Sequence, residues 1–419
     1  MAPDADLAGR APGPDIASVA VIGGGLMGTG IATAILSADL PVTLIEPQPE
    51  ARARAEATIA RTIRRDVEKG RIAADQGTAR IGRLRMAEES AAAAGADLVI
   101  EAVFEDLAVK AQVFRALDRI ARPGAILASN TSTLDLDAIA GFTDRPDHVV
   151  GLHFFSPANV MKLIEIVRGQ ATAPEVLATA MAFTRRIGKI GVIAGNCDGF
   201  IGNRIFEEYL RQAYFLAEEG ALPQQIDAAL EAWGMAMGPY RTMDLAGQDI
   251  GWKIRQRRAI EQPDRPYSGF PDRICALGRF GQKVGKGIYL YPDGRTATID
   301  PEIDALLIAY SAEQGIARRT IGDEEIVERC LMAMINEGAR ILEEGIAYRP
   351  ADIDSVYRHG YGFPAARGGP MAYADSLGLP HVAARIDALA RGRNGWAWQA
   401  SPLLKDLAAR GGRFAELDR

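Results

Sequence analysis

Residues 18–48 read SVAVIGGGLMGTGIATAILSADLPVTLIEPQ, and the fold of the first half follows from them. Ser18–Ile22 is short, apolar and β-branched, as a buried strand is. Gly23, Gly25 and Gly28 then form G-x-G-x-x-G at the start of a helical segment reaching about Ser37, and a second strand runs to Glu46. In such a strand–turn–helix the first glycine allows a tight turn and the second lets the backbone approach a pyrophosphate. The third lets helix and strand pack closely. The N–H groups at the helix start, around Leu26 and Met27, supply the partial positive charge that a diphosphate needs. Glu46 ends the second strand 23 residues after Gly23. A carboxylate there accepts from ribose hydroxyls and repels a 2′-phosphate. The unit predicts a dinucleotide site that favours NAD, with Gly23, Gly25, Leu26, Met27, Gly28 and Glu46 as contacts. Arg52 and Arg54, a turn further on, leave NADP open.

Working outward, apolar runs recur at the spacing of βαβ units: DLVIEAVF (97–104), AILASN (125–130), the two arms of VVGLHFFSPANVMKLIEIV (149–167) and IGVIAG (190–195). Near-continuous apolar strands between helical segments predict a mostly parallel sheet covered on both faces. The chain, at 419 residues, is long enough for two or three domains. A net charge of -6 argues against nucleic acid as a partner. Cys197, Cys275 and Cys330 are isolated thiols without CxxC spacing, which argues against structural zinc or a disulfide framework and for a reducing compartment. No apolar run reaches the roughly 18 residues of a membrane span. The opening MAPDADLAGRAPGPD has neither the apolar core of a signal peptide nor the basic character of a transit peptide, so residues 1–15 are expected to form a disordered tail.

His153 stands at the mouth of one apolar strand and Glu165 lies twelve residues later inside the next. Their midpoint, residue 159, falls in the Ser156–Met161 turn. If the strands pair antiparallel, the two side chains face each other across the hairpin. A carboxylate on one ring nitrogen fixes the tautomer and raises the basicity of the other. Such a His can take a proton from a substrate hydroxyl. A buried structural His–Glu pair is the other reading of this hairpin.

HFFSPANVMKLIEIV, the preceding SNTSTL and the following GNCDGFIGNRIFEEYL together resemble the L-3-hydroxyacyl-CoA dehydrogenase family. Within it the chain is most similar to the dehydrogenase portion of the peroxisomal multifunctional enzymes of type 1. The likeness continues through MGPYRTMDLAGQDIGWKIRQ, GRFGQKVGKGIYLY, ERCLMAMINEGARILEEG and HGYGFPAARGGPMAYADSLGLP, covering roughly residues 16 to 400. It implies a catalytic pair in His153 and Glu165, with Ser132 at the reacting oxygen and close to the nicotinamide. Asn203 falls at the substrate carbonyl. A Ser hydroxyl and an Asn amide can donate to an oxygen without competing for the proton. Glu105 and Lys110 match positions near the nicotinamide ribose, and Lys283 matches a cofactor-side lysine; read alone, all three pass as solvated surface charges.

Coenzyme A carries three phosphates, and an acidic protein must meet them locally. Arg61, Arg65 and Lys69 form one helical stripe (i, i+4, i+8), which alone reads as a solvated face. The family lays CoA along this helix, with Thr62 and Lys69 at contact positions. After Gly195 the pattern turns helical and repeats. NRIFEEYLRQAYFLAEEG (203–220) overlays ERCLMAMINEGARILEEG (328–345), each leading to Ile-Asp (226–227, 353–354) and Gly-Pro (238–239, 369–370). An Asp follows six residues past each of those glycines, Asp244 and Asp375. In the second copy Glu328 replaces Asn203.

The expected fold is an α/β Rossmann-type dinucleotide-binding domain (16–195) followed by two duplicated all-α domains (196–295 and 296–410). The expected activity is NAD-dependent, reversible oxidation of an (S)-3-hydroxyacyl-CoA to the 3-ketoacyl-CoA, as in fatty-acid β-oxidation. The alternatives are a dehydrogenase of free hydroxy acids and a non-catalytic NAD-binding partner of a separate enoyl-CoA hydratase. Only about 15 residues precede the first strand, so hydratase activity is expected to be absent, with a separate hydratase or thiolase as a possible partner. The C-terminal Leu417-Asp418-Arg419 is no peroxisomal address, which predicts a cytoplasmic protein. Because the duplicated helical domain can satisfy a dimer interface within one chain, a monomer with an internal pseudo-dimer is expected.

Overall fold

A computed structural model describes residues 13, 15–261, 263 and 266–418; of the expected tail, only Gly13 and Asp15 fall within the described residues. The elements are β1 (Val19–Ile22), α1 (Leu26–Ser37), β2 (Val42–Ile45), α2 (Pro49–Glu68), α3 (Ala74–Gly82), β3 (Leu84–Ala87), β4 (Leu98–Glu101), α4 (Leu107–Ile120), β5 (Ile126–Ser129), α5 (Leu136–Ala140), β6 (Val149–Phe154), β7 (Leu163–Arg168), α6 (Pro174–Arg186) and β8 (Ile190–Gly195). Helices follow: α7 (Gly202–Glu219), α8 (Pro223–Trp233), α9 (Pro239–Ala246), α10 (Gln248–Glu261), α11 (Phe270–Ala276), α12 (Pro301–Glu313), α13 (Asp323–Glu343), α14 (Pro350–Gly360), α15 (Pro370–Leu377), α16 (Leu379–Leu389) and α17 (Pro402–Ala409). Among the described residues no helix is long and apolar enough to cross a membrane.

The chain divides into two compact units. One holds the residues up to Asn203 together with Glu344–Gly360; the other holds Arg204–Glu343 and Tyr361–Arg419. The first unit is built on an eight-stranded sheet of order β3-β2-β1-β4-β5-β6-β7-β8. Strands β3 to β6 run parallel, β7 turns back antiparallel to β6, and β8 follows β7. The order reverses at β1, which opens a crevice at the carboxyl ends of β1 and β4, the place where α/β sheets bind ligands. The central strands are buried along their whole length, as VAVI of β1 shows. Helix α2 buries Ala55, Ile59 and Ile63 at i, i+4, i+8 and turns its arginines outward. Burying each isoleucine contributes about 1.5–3 kcal/mol, and Ile59→Ala would cost about 2–5 kcal/mol. Strand β3 was not foreseen: LRMA is a half-exposed edge strand without an apolar run.

Helix α14 comes late in the chain but belongs to this first unit, because it packs against β7 and β8. Gly195 N–H donates to Ile346 C=O (2.8 Å) just before it. At its end, a Cβ on Gly360 would sit 2.7 Å from Leu163 Cδ2.

The second unit carries most of both copies of the helical repeat, the second copy lacking Glu344–Gly360 and so α14. Asp244, in α9, accepts from the amides of Ile288 (3.0 Å) and Tyr289 (2.9 Å). Asp375, its counterpart in α15, accepts from the amides of Phe414 (2.7 Å) and Ala415 (3.0 Å). The repeated Asp therefore does one job twice: it ties a later segment to the end of a short helix. Asp227, in α8, accepts from the Tyr240 and Arg241 amides at the start of α9 and from the Tyr289 hydroxyl. The copies meet through buried Arg329 of α13, bonded to Glu219 (2.7 and 3.0 Å) and Gln212 (3.2 Å) of α7. Arg204 pairs with Glu337 in the same way (2.7 Å). Glu328, at the position of Asn203 in the repeat, pairs with Arg385 (2.6 Å), a structural use.

Candidate active site

The glycine loop has the geometry its spacing implies. Gly23 has φ +105°, and a Cβ there would lie 2.7 Å from Ala102 C=O; on Gly28 a Cβ would lie 1.9 Å from Gly23 C=O. Beside Gly25 there is no atom within 4 Å of a built Cβ, so space is left where a diphosphate would approach. Glu46 turns back on the loop, accepting from Gly24 N–H (2.8 Å) and Gln48 N–H (2.9 Å). A cleft of about 400 Å³ runs from Gly24, Gly25, Leu26 and Glu46 along α2, past Arg54, Thr58 and Thr62, and against Pro157–Asn159 of the β6–β7 turn. These groups fit NAD: an open glycine cradle at a helix start, with a carboxylate beyond it. Met27 instead packs against the core. Thr62 lines the cleft, whereas Lys69 is exposed at the C-terminal cap of α2 and does not. Arg54 and Thr58 were not singled out as contacts; with Thr62 they stand at i, i+4, i+8, which is the signal that could have found them.

His153 and Glu165 are direct cross-strand partners in the β6–β7 pair. His153 Nδ1 lies 2.7 Å from Glu165 Oε2. The other carboxylate oxygen, Oε1, accepts from Ile201 N–H (3.1 Å) and Gly202 N–H (2.8 Å) at the start of α7. Tyr357 of α14, fully buried, donates to Gly202 C=O (3.1 Å) and so holds that turn from behind. The imidazole packs against Phe155 (4.6 Å between centroids) and Phe200 (5.7 Å). Oε1 already holds two N–H donors, so an Nδ1–H donated to Oε2 completes the carboxylate's bonding and leaves the ring lone pair on Nε2. That is the arrangement of a base.

Ser132 follows β5, and its hydroxyl and amide both donate to Glu105 Oε1 (3.3 and 2.8 Å). The same oxygen accepts from the Thr131 hydroxyl (2.7 Å) and the Thr133 amide (3.2 Å). Asn203 Nδ2 reaches Ser132 C=O at 3.5 Å, bringing the Asn to the Ser loop. Burial works to raise the Glu105 pKa, but Lys110, Thr131 and Ser132 together hold it below the usual carboxylate value. Lys110 is not the solvated charge that it resembles in sequence. It is 1% exposed and bonded to Glu101 (2.7 and 2.9 Å) and Glu105 (3.2 Å). Glu101, fully buried at the end of β4, was missed. It carries the signal that marked Glu165: a carboxylate inside an apolar run. Lys283 lies in the second unit, where it pairs with Asp249 (2.5 Å).

Residues 18–197 match the NAD binding domain of 3-hydroxyacyl-CoA dehydrogenase, and residues 199–291 and 326–414 match the C-terminal domain of the same family. The chain is 46% identical over 412 residues to the peroxisomal bifunctional enzyme of Danio rerio, covering 95% of this chain and 57% of that protein. It thus spans little more than half the length of that relative. Among solved structures, 3-hydroxybutyryl-CoA dehydrogenase from Escherichia coli K12 superposes with TM-score 0.83 at 28% identity, over 95% of this chain and 99% of that one. The dehydrogenase part of multifunctional enzyme 1 from C. elegans gives 0.68 at 29% identity, over 94% and 90%. The cytoplasmic location expected from the sequence does not stand, because the curated relatives are named as peroxisomal enzymes. A receptor-read address is not a property of the fold, and a C-terminal tripeptide was too slender a basis for it.

Proposed function

The chain belongs to the 3-hydroxyacyl-CoA dehydrogenase family of NAD-dependent oxidoreductases, and we propose that it oxidises (S)-3-hydroxyacyl-CoA to 3-ketoacyl-CoA in fatty-acid β-oxidation. The observation that carries this reading is the Glu165–His153 pair at 2.7 Å, together with the approach of Asn203 Nδ2 to Ser132 C=O at 3.5 Å. His153 Nε2 takes the proton of the 3-hydroxyl, and Glu165 balances the imidazolium that results. Ser132 and Asn203 donate to the substrate's oxygens and hold the carbon that is oxidised. NAD, when bound, accepts the hydride from that carbon. In the reverse direction His153 returns the proton. The basic face of α2, with Thr62 in the cleft and Lys69 beyond it, suits the phosphates of CoA.

Both matched segments are dehydrogenase domains, and a separate hydratase or thiolase is proposed as a partner. We also propose a monomer: the Arg329–Glu219 and Arg204–Glu337 ties join the two helical copies within one chain. Light scattering should give a mass near 44.9 kDa; a stable dimer through the helical repeat would overturn it.

The decisive experiment is NADH formation with 3-hydroxyacyl-CoAs of several chain lengths, set against free 3-hydroxy acids. Turnover on the thioesters, lost by about 10²–10⁴-fold in His153→Gln with NAD binding intact, is expected. Preference for the free acids, or near-wild-type activity in His153→Gln, would overturn the reading.

A further inference from the structure

The glycine loop ends β1 and His153 lies at the end of β6, and in sheet order the ends of β4 and β5 stand between them. Neighbouring strands are about 4.8 Å apart, so about 15 Å separates loop from base along the sheet edge. A dinucleotide whose diphosphate sits on the loop must therefore carry its reactive ring across the ends of β4 and β5 to reach a carbon beside His153. Glu101 marks that place: it pairs in register with Ile22, the residue before Gly23, and with Ser129.

Three charged side chains meet there. Glu101 accepts from Lys110 Nζ with both oxygens (2.7 and 2.9 Å), from the Ser129 hydroxyl (2.6 Å) and from Val103 N–H (2.9 Å). All four of these bonds are donated to it, the pattern a carboxylate receives. Lys110 spends its remaining contact on Glu105 Oε2 (3.2 Å), whose other oxygen takes four donors from Thr131, Ser132 and Thr133. Two carboxylates thus share one ammonium. Among the described residues no second cation is bonded to either, and the group carries a net charge of one negative unit with two of its three members fully buried.

We propose that the Glu101–Lys110–Glu105 group discriminates between the redox states of the cofactor, its uncompensated negative charge favouring the cationic ring of NAD⁺ over the neutral ring of NADH. This rests on the proposed dehydrogenase function and adds to it a reason for the reduced cofactor to leave after turnover. Glu101 touches no substrate. It is a positioning residue that fixes Lys110, and through Lys110 and Glu105 it also holds the Ser132 loop.

The test is calorimetric titration of NAD⁺ and NADH separately into the full-length wild type, Glu101→Gln and Glu105→Gln. Each substitution keeps the shape and removes one negative charge. NAD⁺ should bind about tenfold more weakly in each variant while NADH stays within about twofold; tenfold is about 1.4 kcal/mol, what one charge exerts at about 12 Å with an effective dielectric of about 20. Lost packing or lost ribose contacts would weaken both forms alike, so the ratio isolates the charge. Glu105 is one-third exposed, so its variant decides the question if Glu101→Gln does not fold. An unchanged ratio in Glu105→Gln would overturn the inference. A wild type that binds neither form would overturn the dehydrogenase reading itself, a distinguishable outcome.

Discussion

Replacing Glu165 with Gln keeps the side-chain shape and removes its charge, and the surrounding hydrogen bonds then decide the outcome. Oε1 accepts from two backbone N–H groups, Ile201 and Gly202, while Oε2 meets His153 Nδ1. The backbone donors cannot turn away, so the amide oxygen of Gln must take their side and its NH₂ must face the imidazole. A donor facing Nδ1 requires a lone pair there, which moves the ring proton to Nε2, the nitrogen that has to act as base. The variant holds the wrong tautomer and lacks the counter-charge for an imidazolium. Comparable tautomer errors in catalytic triads lower kcat by about 10⁴-fold, and general bases contribute about 10²–10⁴-fold. The expectation is a fall of about 10³-fold in kcat, near 4 kcal/mol in barrier height. KM for the acyl-CoA should hold, because no binding group has moved. Glu165→Ala is a poorer probe, since stranding buried N–H groups costs about 1–3 kcal/mol each in stability. The assay is NADH formation at saturating substrate, with NAD⁺ titration as the check on folding. A kcat within about tenfold of wild type, where the base alone is worth about 10²–10⁴, would refute the tautomer argument.

Gly28→Ala places a Cβ 1.9 Å from Gly23 C=O and should lose NAD⁺ affinity by about tenfold or more, roughly one 1.4 kcal/mol step; an unchanged titration would show that the loop tolerates the shift. Glu46→Gln combined with Pro47→Arg should relax the preference for NAD toward NADP, Arg54 already lining the same cleft. A wild type that prefers NADPH would contradict the role given to Glu46. Lys69→Ala should raise KM for acyl-CoA and flatten its salt dependence without altering NAD⁺ binding, and no change in KM would place the CoA phosphates elsewhere. Burial pushes the Asp227 carboxyl up from 3.8 to about 7, against the bonds from Tyr289 and the Tyr240 and Arg241 amides. The folded state then holds an extra proton between those values, so this group's contribution to stability falls as pH rises through the window. The urea midpoint of Asp227→Asn relative to wild type should therefore rise from pH 4 to pH 7, and a flat difference would count against the raised value.

The His153–Glu165 register was legible because strands have a period of two and the turn sits at the midpoint of the pair. What grips Glu165 from the other side was not, since the Ile201 and Gly202 amides have no side-chain signature. Lys110 and Glu101 are nine residues apart on different elements, and only the docking of α4 against β4 makes them partners. Strand β3 gave no apolar run because it lies half exposed at the edge. The Gly-to-Asp spacing of the repeat was visible twice, yet the amides that Asp244 and Asp375 receive lie about 40 residues further on. Sequence reading found the pairs joined by one local element and missed those joined by tertiary approach.

Helix α14 alters what can count as the smallest working enzyme. The second helical copy has Glu328 where the first has Asn203, and by residue types alone it looks expendable. Yet it encodes the helix that covers β7 and β8, and that helix supplies the Tyr357 hydroxyl behind Gly202, three hydrogen bonds from His153 by way of Gly202 and Glu165. Residues 204–343 are in effect an insertion between two parts of one compact unit. A gene cut after the first copy would therefore not yield a simpler dehydrogenase but one missing a wall. Through α14 the second copy forms part of the unit that holds His153 and Glu165.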